Sequence, residues 1–157
     1  PPLLTLDAKV ELTTMNTRRR IALREFLTGA RQTQRAPDEL LTAILVPKPS
    51  STEHAAFEKL GGRTYLVISI TMAATLVDLA SNGTVKTARI AIGAASATAQ
   101  RLPALEADCI GKLPSELKVT PAHLAPLSPI DDIRGTADYR LEAARTLSHR
   151  ALMRAAA

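Results

Sequence analysis

The chain has 157 residues, of which 46% are hydrophobic and 22% are charged, with a formal net charge of +5. These values are typical of a globular domain with a packed core, and they exclude a wholly disordered chain. The one cysteine, Cys109, cannot form an internal disulfide, which excludes cysteine-based zinc or iron–sulfur sites within the chain and favours a reducing, cytoplasmic setting.

The first third of the chain is predicted to be mostly strand and loop. Alternating apolar and polar residues at 8–12 predict a half-buried strand, and residues 20–23 predict a return strand. Residues 24–29 predict a short helical turn that ends at a glycine. Residues 30–38 are polar and end in Pro37-Asp38, which predicts a loop. The apolar, β-branched segment 40–46 predicts a further strand. Residues 47–53 contain two prolines and three hydroxyl residues, so we place a linker and a domain boundary there.

The middle of the chain predicts an antiparallel hairpin. Residues 54–60 predict a strand, and the alternation over 66–76 predicts a long strand whose even-numbered, apolar residues face a core. Asn82-Gly83 follows, which is the strongest short hairpin signal, since both central residues of a type I′ turn need positive φ. Residues 85–92 predict the returning strand.

The last third predicts helices. Residues 101–110 suit a helix with Pro103 in its first turn, and at most a short helix fits near 122–125. The final helix is capped by Thr136, with apolar residues at spacings of three and four. The pattern therefore predicts an α+β fold, in which an antiparallel β-sheet has its helices packed on one face.

No residue spacing in the sequence is typical of a catalytic, metal-binding or phosphate-binding site. The three histidines are far apart in the sequence, so none is predicted to bind a metal ion. Gly61-Gly62 lacks the series of spaced glycines that is typical of a phosphate-binding loop. Cys109 follows Asp108, which would raise the pKa of the thiol. We predict no catalytic residue and no metal site; the residues alone indicate an α+β domain that belongs to a larger assembly.

Nucleic-acid and membrane partners are not expected. Basic residues are spread evenly along the chain, and the four aromatic residues offer few platforms for stacking bases. The longest apolar stretch, 65–77, is interrupted by Ser69, Thr71 and Thr75, and it is shorter than the about 20 apolar residues of a spanning helix.

Two stretches of the sequence are distinctive enough to compare with a known family. One runs from Phe57 to Ser69 (FEKLGGRTYLVIS) and continues to 88–94 and 101–106; the other is IDDIRGTADYR, 130–140. Together they resemble the C-terminal domain of the flavoprotein (medium) subunit of molybdenum hydroxylases, the family of xanthine dehydrogenase and carbon monoxide dehydrogenase. The preceding residues resemble the end of the FAD-binding domain of that subunit, notably at Leu6–Val10, Arg24–Phe26 and Asp38–Leu41.

This resemblance implies two domains: residues 1–48 as the C-terminal remnant of an FAD-binding α+β domain, and residues 49–157 as a domain like the C-terminal one of the CO dehydrogenase flavoprotein. It implies a cytoplasmic oxidoreductase subunit that passes electrons from iron–sulfur clusters through FAD to an acceptor. The implied partners are an iron–sulfur subunit, a molybdopterin subunit and the remainder of the FAD-binding domain.

The resemblance also implies roles for single residues. Leu41 is expected near the flavin ring and Lys59 near its edge, while Arg134, Tyr139 and Arg140 are expected to pin the last helix to the sheet. The glycine-rich FAD loops of the family lie earlier in the subunit than the part this chain resembles, so we expect weak or no FAD binding by the chain alone. A second interpretation is a non-catalytic domain whose sheet face or terminal helix docks a partner subunit.

Overall fold

The structure is a computed structural model that describes all 157 residues. The N-terminal unit, residues 1–46, contains α1 (Pro2–Thr5), β1 (Lys9–Thr13), β2 (Arg18–Ala22), α2 (Leu23–Phe26), β3 (Leu27–Gly29), β4 (Gln32–Thr33) and β5 (Leu40–Leu45). Three strands form an antiparallel sheet in the order β2-β1-β5, and β3 pairs with β4. The predicted strands at 8–12, 20–23 and 40–46 are confirmed.

Two predictions in this unit are wrong in detail. The helical turn expected to continue to Gly29 ends at Phe26, and Leu27–Gly29 forms β3 instead. The expected loop at 30–38 contains β4, which pairs with β3. This pairing places Gln34 N in a hydrogen bond to Phe26 O at 2.9 Å, so a backbone contact across a tight hairpin outweighs the loop signals.

The N-terminal unit has a very small core of its own. Val10 and Leu12 point to the same side of β1 and are buried with Phe26. On the opposite side, the buried Glu11 accepts a hydrogen bond from Arg20 Nε at 3.0 Å. A cluster of three buried apolar residues is too small to support an independent domain, so this unit depends on its contacts with the rest of the chain.

The C-terminal unit, residues 53–157, contains β6 (Glu53–Gly61), β7 (Ser69–Leu79), β8 (Val85–Gly93), β9 (Gln100–Arg101), α3 (Pro103–Cys109), two 3₁₀ turns (Pro114–Glu116 and Pro121–Leu124) and α4 (Ala137–Ala155). The four strands form one antiparallel sheet in chain order. Both α3 and α4 contribute to a core of 20 buried residues on one face of that sheet. The predicted α+β fold is confirmed.

The predicted hairpin between β7 and β8 forms, but its turn is different from the predicted one. Gly83 has φ +79°, whereas Asn82 is not among the residues with positive φ, so the turn is not type I′. Asn82 instead accepts hydrogen bonds through Oδ1 from the backbone and hydroxyl of Thr84, at 3.1 and 2.8 Å. The side chain of Asn82 thus closes the turn locally.

Strand β7 is buried on both faces. Its odd-numbered residues Ala73 and Val77 belong to the main core beneath α4, and Thr75 Oγ1 donates to Ala151 O at 3.0 Å. The even-numbered Ala74 and Leu76 are buried too, but they lie beside α1 and Leu6 of the N-terminal unit. The prediction that the even face is the core face is therefore wrong for the main core, because the threonine hydroxyls on the odd face find carbonyl partners inside it.

The helix ends agree with the sequence. Thr136 Oγ1 accepts a hydrogen bond from Tyr139 N at 3.2 Å and caps α4, as predicted. Helix α3 ends before Gly111, whose φ is +79°, and the short helix expected near 122–125 is the 3₁₀ turn at Pro121–Leu124. None of the helices combines the length and the apolar character that crossing a bilayer requires.

Candidate functional site

Leu41 lies on an exposed edge of the N-terminal sheet. It pairs with Leu12 across the β1–β5 ladder, and Ile44 pairs with Val10. Leu41 and Ile44 are 42% and 50% exposed, although their neighbours Val10 and Leu12 are buried. The chain therefore presents half-exposed aliphatic side chains at the open edge of β5, next to a small buried cluster.

Lys59 lies on β6, in the other sheet. Its side chain is exposed, and Nζ donates a hydrogen bond to Val67 O at 2.8 Å. The structure thus places the two residues predicted to contact a flavin on different sheets, and it uses the ammonium group of Lys59 to hold the loop that follows β6.

That loop, residues 62–68, has an unusual backbone. Tyr65 and Leu66 have φ of +62° and +34°, a region that residues with a side chain rarely adopt. Arg63 Nη2 donates to Leu66 O at 3.2 Å, which adds to the bond from Lys59. At the start of the loop, a Cβ on Gly61 would collide with Val67 Cγ1, so glycine permits the close approach. Residues 66–68, predicted to begin the long strand, belong to this loop, and the strand begins at Ser69.

The buried guanidinium of Arg140 joins three segments at one end of the main sheet. Arg140 Nη1 donates to Ile70 O at 2.5 Å and to Ala94 O at 2.9 Å, and Nη2 donates to Asp132 Oδ1 at 2.7 Å. The expected pinning of the last helix to the sheet by Arg140 is therefore confirmed.

The neighbours of Arg140 in the same motif stabilise the turn before α4. The backbone N–H of Arg134 and the guanidinium groups of Arg140 and Arg134 donate to Asp132, and they hold the pKa of that carboxyl below its usual value. Tyr139 packs over Gly135, where a Cβ would lie 2.9 Å from Tyr139 Cδ1. Asp131 Oδ1 accepts a hydrogen bond from Ala137 N at 2.6 Å at the start of the helix.

A network of ion pairs joins the two units, and the sequence patterns gave no sign of it. Asp7 binds Arg89 through Oδ2 at 3.0 Å and Arg101 through Oδ1 at 2.8 Å. Arg89 also pairs with Glu53, and Arg101 with Glu106. Burial would raise the pKa of Asp7, but hydrogen bonds from the two arginines outweigh it and lower that pKa.

A polar cleft of about 640 Å³ lies beside this network, between the two units. Its walls include Arg24 and Thr28 from the N-terminal unit and Gln100 and Glu106 from the C-terminal unit. The lining carries both signs of charge and few apolar side chains, so the cleft lacks the mainly apolar lining that is typical of small-molecule sites.

The residues present fit a flavin ring better than they fit the phosphates of FAD. The edge at Leu41 and Ile44 offers the apolar contact that an aromatic ring system needs. A pyrophosphate needs clustered backbone N–H groups, usually from a glycine-rich loop that leads into a helix. Gly61-Gly62 leads into the 62–68 loop, where Lys59 and Arg63 donate to carbonyl groups instead.

No nucleophile or metal centre emerges from the geometry. The structure has no group of three or more histidine, cysteine, aspartate or glutamate side chains placed to hold a metal ion. Burial first, and then the charge of Asp108, raise the pKa of Cys109 to about 11. The prediction of a raised pKa is confirmed, but its main cause is burial. Cys109 is therefore a neutral thiol near pH 7, which makes it a poor nucleophile.

Comparison with known proteins divides the chain into two matched parts. Residues 55–155 match the family described as CO dehydrogenase flavoprotein C-terminal domain. Residues 1–49 match the family described as FAD binding domain in molybdopterin dehydrogenase. The two matches follow each other along almost the whole chain.

Individual relatives agree with these families. The chain is 32% identical over 156 residues to the 6-hydroxypseudooxynicotine dehydrogenase complex subunit alpha of Paenarthrobacter nicotinovorans, covering 98% of this chain and 52% of the relative. It is 34% identical over 160 residues to the carbon monoxide dehydrogenase medium chain of Afipia carboxidovorans, covering 97% and 53%. The chain thus spans about half the length of the curated relatives it matches.

Solved structures show the same architecture. Reconstituted CO dehydrogenase from Oligotropha carboxidovorans aligns with a TM-score of 0.87 at 28% identity, covering 98% of this chain and 55% of that chain. The CO dehydrogenase of Hydrogenophaga pseudoflava that lacks the molybdenum-pyranopterin moiety aligns with a TM-score of 0.88 at 30% identity, covering 98% and 54%.

Proposed function

The chain belongs to the CO dehydrogenase flavoprotein C-terminal domain family, and we propose that it forms part of the electron-transfer subunit of a molybdenum-dependent hydroxylase. Bound FAD would supply the redox chemistry, taking electrons from iron–sulfur clusters and passing them to an acceptor. The residues of this chain would position the flavin and connect its domain to the rest of the enzyme. The main supporting observation is that the two family matches follow one another along this chain, which also aligns over 97% of its length with a carbon monoxide dehydrogenase medium chain.

Within that role, Leu41 and Ile44 would form the apolar contact to the flavin ring at the β5 edge. Lys59 would reach the ring edge only with a different side-chain geometry, because its Nζ is bonded to Val67 O. The residues leave the pyrophosphate without a cradle, so FAD retention would require the remainder of the FAD-binding domain. The division into domains at residues 48 and 49 stays a prediction.

The proposed partners are an iron–sulfur subunit and a molybdopterin subunit. The names of the relatives support this, since one is a complex subunit alpha and another a medium chain. The substrate would bind on the molybdenum subunit, outside this chain. The cytoplasm is the proposed compartment, because Cys109 is an unpaired thiol.

The test is to purify the complete natural protein with whatever copurifies, and to record its absorbance spectrum under anaerobic conditions before and after titration with dithionite. We expect a flavin band that bleaches on reduction, with molybdenum and iron in the same fractions. The 157-residue chain alone, titrated with FAD, is the matched control, and we expect it to show little or no binding. A complete natural protein without a flavin band at saturating FAD would contradict the proposal.

A further inference from the structure

A groove of about 520 Å³ lies on the surface of the C-terminal unit, between α4 and the segment 118–121. This basic groove is lined by residues 118–121 on one side and by Arg145, Thr146 and His149 of α4 on the other. It shares no lining residue with the cleft between the two units. The basic groove is therefore separate from the proposed flavin contact at Leu41, which lies on the N-terminal sheet.

The charged side chains of the basic groove are all of one kind. Lys118, Arg145 and His149 are its three basic side chains, and no carboxylate lines it. Lys118 and His149 form no ion pair within the chain. The cleft between the units differs, since its walls contain Glu25 and Glu106 as well as arginines. A concave surface with charge of one sign concentrates ions of the opposite sign, so the basic groove favours an anion.

The helical wall of the basic groove presents donors that are already oriented. Arg145 and His149 are four residues apart on α4, so their side chains lie on the same side of the helix. Arg145 donates from Nε and Nη2 to the two carboxylate oxygens of Glu142, at 3.0 and 2.6 Å. Because a guanidinium has five N–H donors, this pair fixes the group and leaves Nη1 free to donate to a ligand.

The opposite wall is fixed by the core and by a histidine. Leu117 and Val119 are buried in the main core, which anchors the segment on both sides of Lys118. The backbone N–H of Thr120 donates to His123 Nδ1 at 3.2 Å, and this bond holds the next residue of the wall. Both walls of the basic groove are therefore held in place by contacts within the chain.

Two groups that line the basic groove lack a hydrogen-bond partner in the chain. Val119 is buried, yet its backbone N–H donates to no group of the protein. The half-buried Thr146 likewise makes no hydrogen bond through its hydroxyl group. Buried backbone N–H groups are almost always paired, so the N–H of Val119 requires an acceptor from outside the chain.

From these observations we infer that the basic groove binds a small anion that carries a phosphate group, bonded by Lys118, Arg145 and His149. The several oxygens of a phosphate can accept hydrogen bonds from both walls at once, and bonds between ionised partners are the strong ones. A nucleic acid would need a longer basic surface with stacking platforms, which this groove does not offer. The inference does not depend on the proposed function, since it uses no flavin and no partner subunit.

The experiment is isothermal titration calorimetry of the complete natural protein with inorganic phosphate and, separately, with ADP. Excess FAD is present to occupy any flavin site, and the ionic strength is held at about 0.15 M. We expect at least one ligand to bind, and amide hydrogen exchange at 117–121 to become slower when it is bound. Tighter binding of ADP would identify an organic phosphate as the ligand, and tighter binding of phosphate would identify the free ion.

The variants test whether binding takes place in the basic groove. Lys118→Ala should raise the dissociation constant at least about threefold, and Lys118→Ala with Arg145→Ala at least about tenfold. Arg150→Ala is the matched control, because it also removes one positive charge and Arg150 is exposed beside His149 without lining the groove. We expect this control to bind as the parent does, and Lys118→Ala to keep the thermal unfolding temperature of the parent.

Three results would overturn the inference. The first is that neither ligand binds at this ionic strength, even if the groove holds an acidic segment of another protein. The second is that Lys118→Ala binds as tightly as the parent. The third is an equal loss of affinity in Lys118→Ala and Arg150→Ala, which would indicate a general effect of net charge.

Discussion

Arg140 and Ile70 are 70 residues apart in the sequence, yet Arg140 Nη1 donates to the carbonyl oxygen of Ile70 at 2.5 Å. The same guanidinium bonds Ala94 O and Asp132. One side chain in the first turn of α4 therefore joins the start of β7, the loop after β8 and the turn before the helix. Arg140 therefore has a structural role in this motif, which has no catalytic geometry.

Replacing this arginine is expected to destabilise the chain. Arg140→Met removes three charge-assisted hydrogen bonds and leaves two carbonyls without this donor, so the free energy of unfolding should fall by about 3 kcal/mol. Urea denaturation measures it. Arg145→Met is the control, because Arg145 binds only the exposed Glu142, and its loss should cost about 0.5 kcal/mol or less. Equal losses for the two variants would contradict the assigned role of Arg140.

The stability of the N-terminal unit is expected to depend on pH, because the carboxyl group of Glu39 becomes protonated in acid. Hydrogen bonds from Arg19, and then from the backbone of Ala36, lower the pKa of Glu39 from 4.5 to about 2. A carboxyl whose pKa is lower in the folded state stabilises that state above its unfolded pKa. This contribution is therefore present above about pH 4.5 and is lost as the pH falls towards about 2.

The test follows the thermal unfolding temperature over that pH range for the parent and for Glu39→Gln. The variant should be less stable near neutral pH, should lose less stability on acidification, and should approach the parent at the acidic end. Glu25→Gln is the control, since Glu25 is exposed and its contact with Arg24 is 3.7 Å long. Parallel pH profiles for the parent and Glu39→Gln would show that Glu39 does not carry this dependence.

The edge at Leu41 is expected to matter for flavin retention in the complete subunit. Leu41→Arg places a charge where an apolar ring contact is proposed, and it should lower FAD affinity at least about tenfold. Leu40→Arg is the control, because Leu40 neighbours Leu41 on β5, points to the other face and is more exposed. The flavin-to-protein ratio after gel filtration measures the effect. Equal ratios for the two variants would remove Leu41 from the proposed site.

The contact between the units is expected to loosen when Asp7 loses its charge. Asp7→Asn keeps a residue that tolerates the φ of +49° at this position, so the change acts on the bonds to Arg89 and Arg101. Amide hydrogen exchange in residues 1–8 should become about fivefold faster. Asp38→Asn changes an exposed carboxyl elsewhere in the unit and should leave that exchange unchanged. Unaltered exchange in Asp7→Asn would show that the network does not hold the units together.

Local signals were sufficient for much of the fold. Thr136 caps α4 through a bond to a residue three positions away, and Asn82-Gly83 marks the corner of the hairpin, so both are visible in a short window of sequence. The main error concerns β7, where alternation alone cannot show that Thr75 finds a carbonyl partner on a helix 76 residues away. A hydroxyl that is satisfied in this way can lie in a core.

The candidate site was less predictable from the sequence, because its contacts also join residues that local sequence patterns do not relate. The partners of Asp7 are 82 and 94 residues away in the chain, and no periodicity relates them. Lys59 was assigned to a flavin edge by resemblance, whereas its contact in the structure is a carbonyl eight residues away. That contact depends on the positive φ values at Tyr65 and Leu66, two residue types that do not usually mark a left-handed turn.

Burial of β7 on both faces has a consequence for how the molecule unfolds. The strand packs against both units, with α4 on one face and α1 on the other. Detachment of the N-terminal unit would expose Ala74 and Leu76 to water. Loss of α4 would remove the packing on the opposite face of β7. We therefore expect melting of either unit to destabilise the other, so that the two unfold in one cooperative transition.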